Sequence, residues 1–222
     1  MLYLYNAQAG SPSLTLTGDE HRYLFKVRRH KLHDRIHLRN LQDGNLYTYE
    51  VIAIDKRQIS LTLEAQRLLE VKAPHHLHLG WCVIDPKNVE KMLPSLNEMG
   101  VAKISFIYCL RSQKSFKLDF KRLEKILLNS SQQSGRSVMM ELEMVESLEA
   151  FVAEYPEAKM LNFSREHFVE ESCFDTIVIG CEGGFTTEEV ALFSQEKIVG
   201  FQTPLVLKSE TAVCAVASSV LL

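Results

Sequence analysis

Two loops in the last third of the chain carry residue types suited to holding a small charged ligand. The first, Ile179-Gly180-Cys181-Glu182-Gly183-Gly184-Phe185, directly follows an apolar run at 174–179. The second, Leu205-Val206-Leu207-Lys208-Ser209-Glu210-Thr211-Ala212, leads from another short apolar run into the C-terminal segment. Gly183 and Gly184 lack Cβ atoms, so the backbone there can turn left-handed and bring its amides close to a ligand. Strand-to-helix junctions of this kind are where open α/β sheets bind ligands. The first loop lacks the Gly-Lys-Ser/Thr ending of a P-loop, and its glycines miss the dinucleotide spacing. Glu182 would repel a phosphate and suits a cationic ligand. A tight turn alone would also explain the glycines, and a plain helix cap would explain Ser209 and Glu210.

A second group is cationic. Ser130-Ser131-Gln132-Gln133-Ser134-Gly135-Arg136 reads as a helix end, with Gly135 as its C-cap. Arg136 then lies just past the helix, where it could grip a phosphate, stabilise an oxyanion or simply sit at the surface. The run 21–31 interleaves Arg22, Lys26, Arg28, Arg29 and Lys31 with Tyr23 and Phe25. Charge for a backbone and rings for stacking suit nucleic acid, although a solvated helix face has the same composition. The histidines between His21 and His37 and the group His75, His76 and His78 match no standard zinc spacing, so no metal site is expected. No Ser/His/Asp or Cys/His arrangement is readable from spacing. Trp81, the one tryptophan, is expected in the core.

Composition limits the classes. The chain has 222 residues, 46% of them apolar, and a formal net charge of −3. That gives no global argument for a polyanion partner, but residues 1–70 hold ten Lys/Arg against eight Asp/Glu. The five cysteines (82, 109, 173, 181 and 214) form no C-x-x-C pair and are expected as free thiols in a reducing cytoplasm. No signal-peptide pattern and no membrane-length apolar run is present in the sequence.

Residues 1–70 read as mostly β, with strands at 2–5, 14–17, 35–40, 46–54 and 58–63 and a helical pattern at 19–29 with Tyr23, Leu24 and Val27 on one stripe. Asp43-Gly44 suits a tight hairpin, and the whole suggests a small barrel. Pro74 marks a linker. From residue 71 strands and helices alternate: strands at 76–83, 101–110, 138–145, 158–162, 174–179 and 205–207. Helices fall at 88–99, near 120–127 and 147–154, at 187–197, and after 209. Gly100 ends the first of these helices, and Thr186 with Glu189 forms a capping box at the start of the 187–197 helix. This alternation predicts an α/β domain with a parallel sheet at 71–222.

Taken in order, these segments resemble the RsmE family of ribosomal RNA uridine methyltransferases, of the SPOUT superfamily. The family's Ile-Gly-Pro-Glu-Gly-Gly-Phe-Ser loop resembles 179–186, with Cys181 for proline. Its Leu-Arg-Thr-Glu-Thr-Ala segment resembles 207–212, with Lys208 for arginine and Ser209 for threonine. Its Glu-Gln-Ser-Gly-Arg segment resembles 132–136. Its Lys-Ala-Thr-Glu-Leu-Gly-Val helix end is similar to 94–101, where Glu98, Gly100 and Val101 are kept. Its His-Leu-x-x-Val-Leu-Arg pattern is loosely matched by His21 through Arg29, and His33 stands where the family has a glycine.

The resemblance implies a PUA-like β-barrel that docks RNA (1–70) before a trefoil-knotted SPOUT domain (71–222). It implies S-adenosylmethionine in the knot, a homodimer, a cytoplasmic location, and methylation of uridine N3 in small-subunit (16S) ribosomal RNA, free or in the assembled subunit. Gly180, Glu182, Gly183, Gly184, Leu205, Leu207, Ser209 and Thr211 would contact the cofactor. Arg136, Glu182 and Glu210 are the candidates for stabilising the uracil anion, for the general base and for orienting the sulfonium. Arg22, Lys26, Arg28, Arg29, Arg111 and Arg136 are the RNA-contact candidates. Rival readings are a SPOUT methyltransferase for another RNA, a non-catalytic RNA-binding or ribosome-assembly protein, and an ordinary doubly wound nucleotide enzyme.

Overall fold

A computed structural model describes residues 2–164 and 174–222. It divides into two compact units, Met1–Lys72 with Ser131–Met139, and Ala73–Ser130 with Met140–Leu222. Cys173 lies outside the described residues.

The first unit is a half-barrel: an open sheet of five strands in the order β1-β3-β4-β5-β2. β1 is Leu4–Tyr5, β2 Ser13–Thr17, β3 Arg35–Arg39, β4 Asn45–Ile54 and β5 Gln58–Leu68. Alternation in β2 buries Leu14 and Leu16 and exposes its threonines and serine, as period 2 requires. Those leucines join Leu38, Tyr49, Val51, Ile59 and Leu61 in one core. The β3–β4 connection is longer than a two-residue hairpin. Leu41 (φ 60°) and Gly44 (φ 70°) both turn left-handed, and Asp43 accepts from Asn45 N, Asn40 Nδ2 and the Tyr47 hydroxyl. Burial alone would raise the Asp43 carboxyl, but these donors outweigh it and hold the pKa at about 2.

The expected helix at 19–29 is a short α-helix, α1 (Gly18–His21), continued by a π-helix over Arg22–Val27. Arg28 N bonds Tyr23 O, five residues back. The wider winding breaks the 3.6-residue stripe. Leu24 stays buried, while Val27 is 62% exposed. His33 has φ 69°, a backbone state suited to glycine, and its Nδ1 lies 2.6 Å from Glu50 Oε1.

The helix α3 (Phe120–Ser134) ends within this unit at Gly135, which has φ 88° and bonds Ser131 O. The segment after it is tied down by Tyr3 Oη donating to Arg136 O (2.8 Å) and Val71 N donating to Ser137 Oγ (2.9 Å).

The second unit is a six-stranded, all-parallel sheet in the order β11-β9-β10-β6-β7-β8. Its strands are β6 (His78–Cys82), β7 (Lys103–Ile107), β8 (Glu141–Val145), β9 (Lys159–Leu161), β10 (Thr176–Ile179) and β11 (Ile198–Val199). Around it run α2 (Pro86–Met99), α4 (Leu148–Glu154), α5 (Thr187–Val190) and α6 (Ser209–Leu221), together with the body of α3. β6 is buried along its whole length, as a central parallel strand must be. α2 starts on the Asp85 carboxylate and ends at Gly100 with φ 104°. No helix among the described residues is long and apolar enough to cross a membrane.

Three expectations are corrected in this unit. The helix expected at 187–197 stops at Val190, because Leu192 N and Phe193 N bond carbonyls three residues back and turn Phe193 into the core. Residues 205–207 are irregular, with Leu205 71% and Val206 77% exposed, and the edge strand is β11 instead. Cys82 and Cys109 are joined as a disulfide rather than free, because β6 and β7 run side by side and bring their ends together. Cys181 and Cys214 are free.

A polar network lies within the sheet. His78 Nε2 is 2.6 Å from Ser105 Oγ, which donates to Glu143 Oε1. Glu143 Oε2 pairs with Lys103 Nζ at 2.8 Å, and Lys103 donates to Tyr155 Oη. Burial pushes the His78 pKa down to about 4; Lys103 adds to the shift, Glu143 opposes it, and His76 contributes a smaller lowering. In the unfolded chain the histidine titrates near 6.5, so between pH 6.5 and 4 the unfolded state binds a proton that the folded state refuses. Folding stability should therefore fall by about 3 kcal/mol as pH drops through that window. Denaturant titrations at pH 7 and pH 4 check this. His78→Gln, which keeps a nitrogen donor toward Ser105, should flatten the dependence.

Candidate active site

The site lies at the C-terminal ends of β9, β10 and β11, where the crevice of an open parallel sheet is expected. A cavity of about 590 Å³ is lined by residues 161–164, 179–185, 201–207, 209 and 212. It brings together the two loops singled out in the sequence. Gly180, Glu182, Gly183, Gly184, Leu205, Leu207 and Ser209 all line it. Glu210, Thr211 and Lys208 do not, although they occupy adjacent positions.

One hydroxyl ties the two loops together. Ser209 Oγ donates to Gly180 O at 2.6 Å and accepts from Trp81 Nε1 at 2.9 Å. Ser209 is therefore not the N-cap that its position suggests. That place falls to Lys208, which makes no side-chain cap. Trp81 is fully buried, as expected, and also anchors the site.

The glycine loop owes its shape to different causes at each position. Gly184 has φ 65°, a left-handed turn that disfavours side chains. Gly183 is not left-handed. A Cβ there would come within 3.2 Å of Arg111 Cβ and 3.3 Å of its Cδ. At Gly180 a Cβ would meet the Phe185 ring at 3.2 Å. Cys181 is buried, and its thiol lies 3.8 Å from Gly184 O. After the loop, the capping box is formed: Glu189 N donates to Thr186 Oγ1, and Thr186 N donates to Glu189 Oε2.

Glu182 is exposed on the cavity wall, where its carboxylate can face a cation. Glu210, in the first turn of α6, has Oε2 withdrawn from solvent with no hydrogen-bond partner among the described residues. Arg111 is exposed, and its Nη1 donates to Gly183 O at 2.7 Å. Arg136 belongs to the first unit and is buried, with Nε donating to Val138 O at 3.2 Å. Burial pushes its guanidinium pKa down from the usual range, and Tyr3 partly offsets this. Arg22, Lys26, Arg28 and Arg29 are all exposed on one stretch of the first unit; Arg28 stacks over the Tyr23 ring and donates to its hydroxyl.

Sequence reasoning missed the wall formed by Asn162, Phe163, Ser164 and 201–204. The strand ending near residue 162 was legible, and the rule that ligands sit beyond strand ends could have flagged the residues just past it.

The chain matches the family model described as RNA methyltransferase domain over residues 71–221, and the RNA methyltransferase PUA domain over residues 16–64. It is 41% identical over 222 residues to the ribosomal RNA small subunit methyltransferase E of Helicobacter pylori, covering 98% of each chain. A protein of the same name from Rickettsia conorii is 24% identical over 212 residues, covering 88% of this chain and 83% of that one. Among solved structures, ribosomal RNA small subunit methyltransferase E from Neisseria gonorrhoeae, bound to S-adenosyl methionine, superposes with a TM-score of 0.78 at 18% identity. That likeness covers 99% of this chain and 96% of that one and is a likeness of fold. On the family model and the Helicobacter relationship, this chain belongs to the ribosomal RNA small subunit methyltransferase E family.

Proposed function

We propose that the chain transfers the methyl group of S-adenosylmethionine to N3 of a uridine in small-subunit (16S) ribosomal RNA. The observation that carries this reading is the convergence of the 179–185 and 205–209 loops on one cavity, joined through Ser209 Oγ and Gly180 O. The cavity suits the cofactor. Ile179, Leu205, Leu207 and Ala212 offer apolar wall for a base, and the acidic Glu182 lines the same space. The small glycine positions leave room for backbone amides to approach the ligand. Gly180, Gly183, Gly184, Leu205, Leu207 and Ser209 would hold it, with Thr211 at the edge. When bound, it supplies an electrophilic methyl on a sulfonium.

The protein's own tasks are alignment, exclusion of water and charge control. Uridine N3 carries a proton and faces its pairing partner, so the base is presented unpaired and loses that proton before attack. Alignment of nucleophile and methyl can lower a barrier by roughly 7–11 kcal/mol. Arg136 is assigned to stabilising the uracil anion or a neighbouring phosphate. Glu182 and Glu210 share the remaining roles of general base and of orienting the positive end. The exposed cations Arg22, Lys26, Arg28 and Arg29 on the first unit, with Arg111 on the second, are assigned to the RNA backbone. A PUA-like docking role for residues 1–70, a trefoil-threaded domain at 71–222, cytoplasmic action and a homodimer complete the reading. The exposed Leu205 and Val206 support the dimer.

The test uses purified protein, labelled S-adenosylmethionine, and small subunits or free 16S RNA from a strain lacking the enzyme. Nuclease digestion and mass spectrometry should find one 3-methyluridine. Methylation of a different atom or RNA would move the chain to another specificity, and intact RNA binding without transfer would favour an assembly role.

A further inference from the structure

Glu189 stands out as a buried carboxylate that the proposed chemistry does not use. It is 1% exposed, and no cation lies within ion-pairing distance of it among the described residues. A buried carboxylate is costly unless hydrogen bonds replace its hydration. Both its oxygens are in use, and on different segments. Oε2 accepts from Thr186 N (2.8 Å), the local bond of a capping box. Oε1 accepts from Leu110 N (2.8 Å), which lies 79 residues away in sequence. A capping box needs only the first of these. The second reaches the loop after β7, and that loop returns to the glycine turn through Arg111 Nη1 and Gly183 O (2.7 Å). The disulfide at Cys109 fixes the base of the same loop.

We propose that Glu189 is a positioning residue for the cofactor turn: its two oxygens hold the 109–112 loop and the 180–186 turn at a fixed separation, and Arg111 locks the tip. This rests on the assignment of the cavity to S-adenosylmethionine. The bridge requires two acceptors on one planar group. In Glu189→Gln the volume is kept, but one of the two amide donors then faces an NH₂ group. The cost of one unmade buried bond lies in the range that shifts an affinity by about tenfold.

The experiment compares wild-type and Glu189→Gln protein by calorimetry with S-adenosylmethionine and by initial rates at saturating RNA. The expected result is a Kd and a KM for the cofactor raised about tenfold, with kcat at saturating cofactor kept within about twofold. A lowered melting temperature with unchanged Kd and KM, or a variant that fails to fold, would assign Glu189 to stability alone and overturn the proposal. Hydrogen exchange on the wild-type protein gives a second reading without mutation. Saturating cofactor should slow exchange at Leu110 together with Thr186, although Leu110 does not line the cavity, and an unchanged Leu110 amide would overturn the coupling. If wild-type protein itself binds no S-adenosylmethionine, the cofactor assignment fails, a result distinct from either outcome for Glu189.

Discussion

A Gly183→Val protein is expected to fold and melt near the parent temperature and to bind S-adenosylmethionine at least a hundredfold more weakly. Gly183 is exposed, so the substitution empties no core and buries no polar group. Its cost is local. Even a single Cβ would press on Arg111 Cβ and Cδ at 3.2 and 3.3 Å. Valine adds two methyl groups to that contact and, because it is branched at Cβ, has few rotamers with which to escape. Either Arg111 gives up its bond to Gly183 O, or the turn moves into the cavity it lines. Both outcomes displace the amides assigned to the cofactor, and a loss of about 3 kcal/mol corresponds to roughly a hundredfold in Kd. Calorimetry with the cofactor, beside a melting curve, makes the measurement. Normal binding would detach this turn from the cofactor. Gly184→Ala makes an instructive comparison, since a Cβ there meets open space and the penalty is the left-handed backbone, of order 1 kcal/mol.

The contrast between these two glycines shows what could be read from the chain. That a tight glycine turn follows an apolar strand was legible, because Gly-Gly between a β run and a Thr-x-x-Glu cap suits a sharp strand-to-helix connection, whether or not the turn also holds a ligand. Which of the two turns left-handed and which is crowded was not legible, since the crowding at Gly183 comes from Arg111, which is remote in sequence. The same division recurs elsewhere. Local signals were sound where the physics is local: Gly100 and Gly135 both end helices with positive φ, and Thr186 with Glu189 forms its box. Signals failed where a distant partner overrides the local preference. Ser209 has the chemistry of an N-cap, but Gly180 O and Trp81 Nε1 engage its hydroxyl instead.

Apolar runs misled for a related reason. An apolar run states that a segment is to be covered, not by what. Residues 205–207 read as a strand, yet among the described residues no sheet partner takes them and Leu205 and Val206 stay open. The helical stripe at Tyr23, Leu24 and Val27 failed because period counting assumes 3.6 residues per turn, and this segment winds as a π-helix. The disulfide was invisible for want of a C-x-x-C pair, since parallel-strand register rather than sequence spacing brings Cys82 and Cys109 to a Cα separation of 5.8 Å. The joining of Ser131–Met139 to the first unit belongs to the same class.

That last feature bears on Arg136→Ala, for which turnover is expected to fall by about two to three orders of magnitude, the scale seen when a donor to a developing anion is removed. Cofactor affinity should stay within about twofold, because every residue lining the cavity belongs to the second unit and Arg136 to the first. The structural alternative is a real competitor here. Arg136 is only 8% exposed, its Nε bonds Val138 O, and truncation would disturb a segment that also receives the Tyr3 hydroxyl. The two roles separate in the data. A structural arginine loses melting temperature and active fraction while kcat per folded molecule holds. A catalytic one loses kcat with the melting curve little changed, and Arg136→Lys, which keeps the charge but not the planar fork, recovers only part of the rate. Single-turnover methylation at saturating cofactor and RNA, normalised to folded protein, reads this directly. An unchanged rate would remove Arg136 from the chemistry and leave the anion to Glu182's neighbours on the glycine turn, whose amides would then have to stabilise it alone.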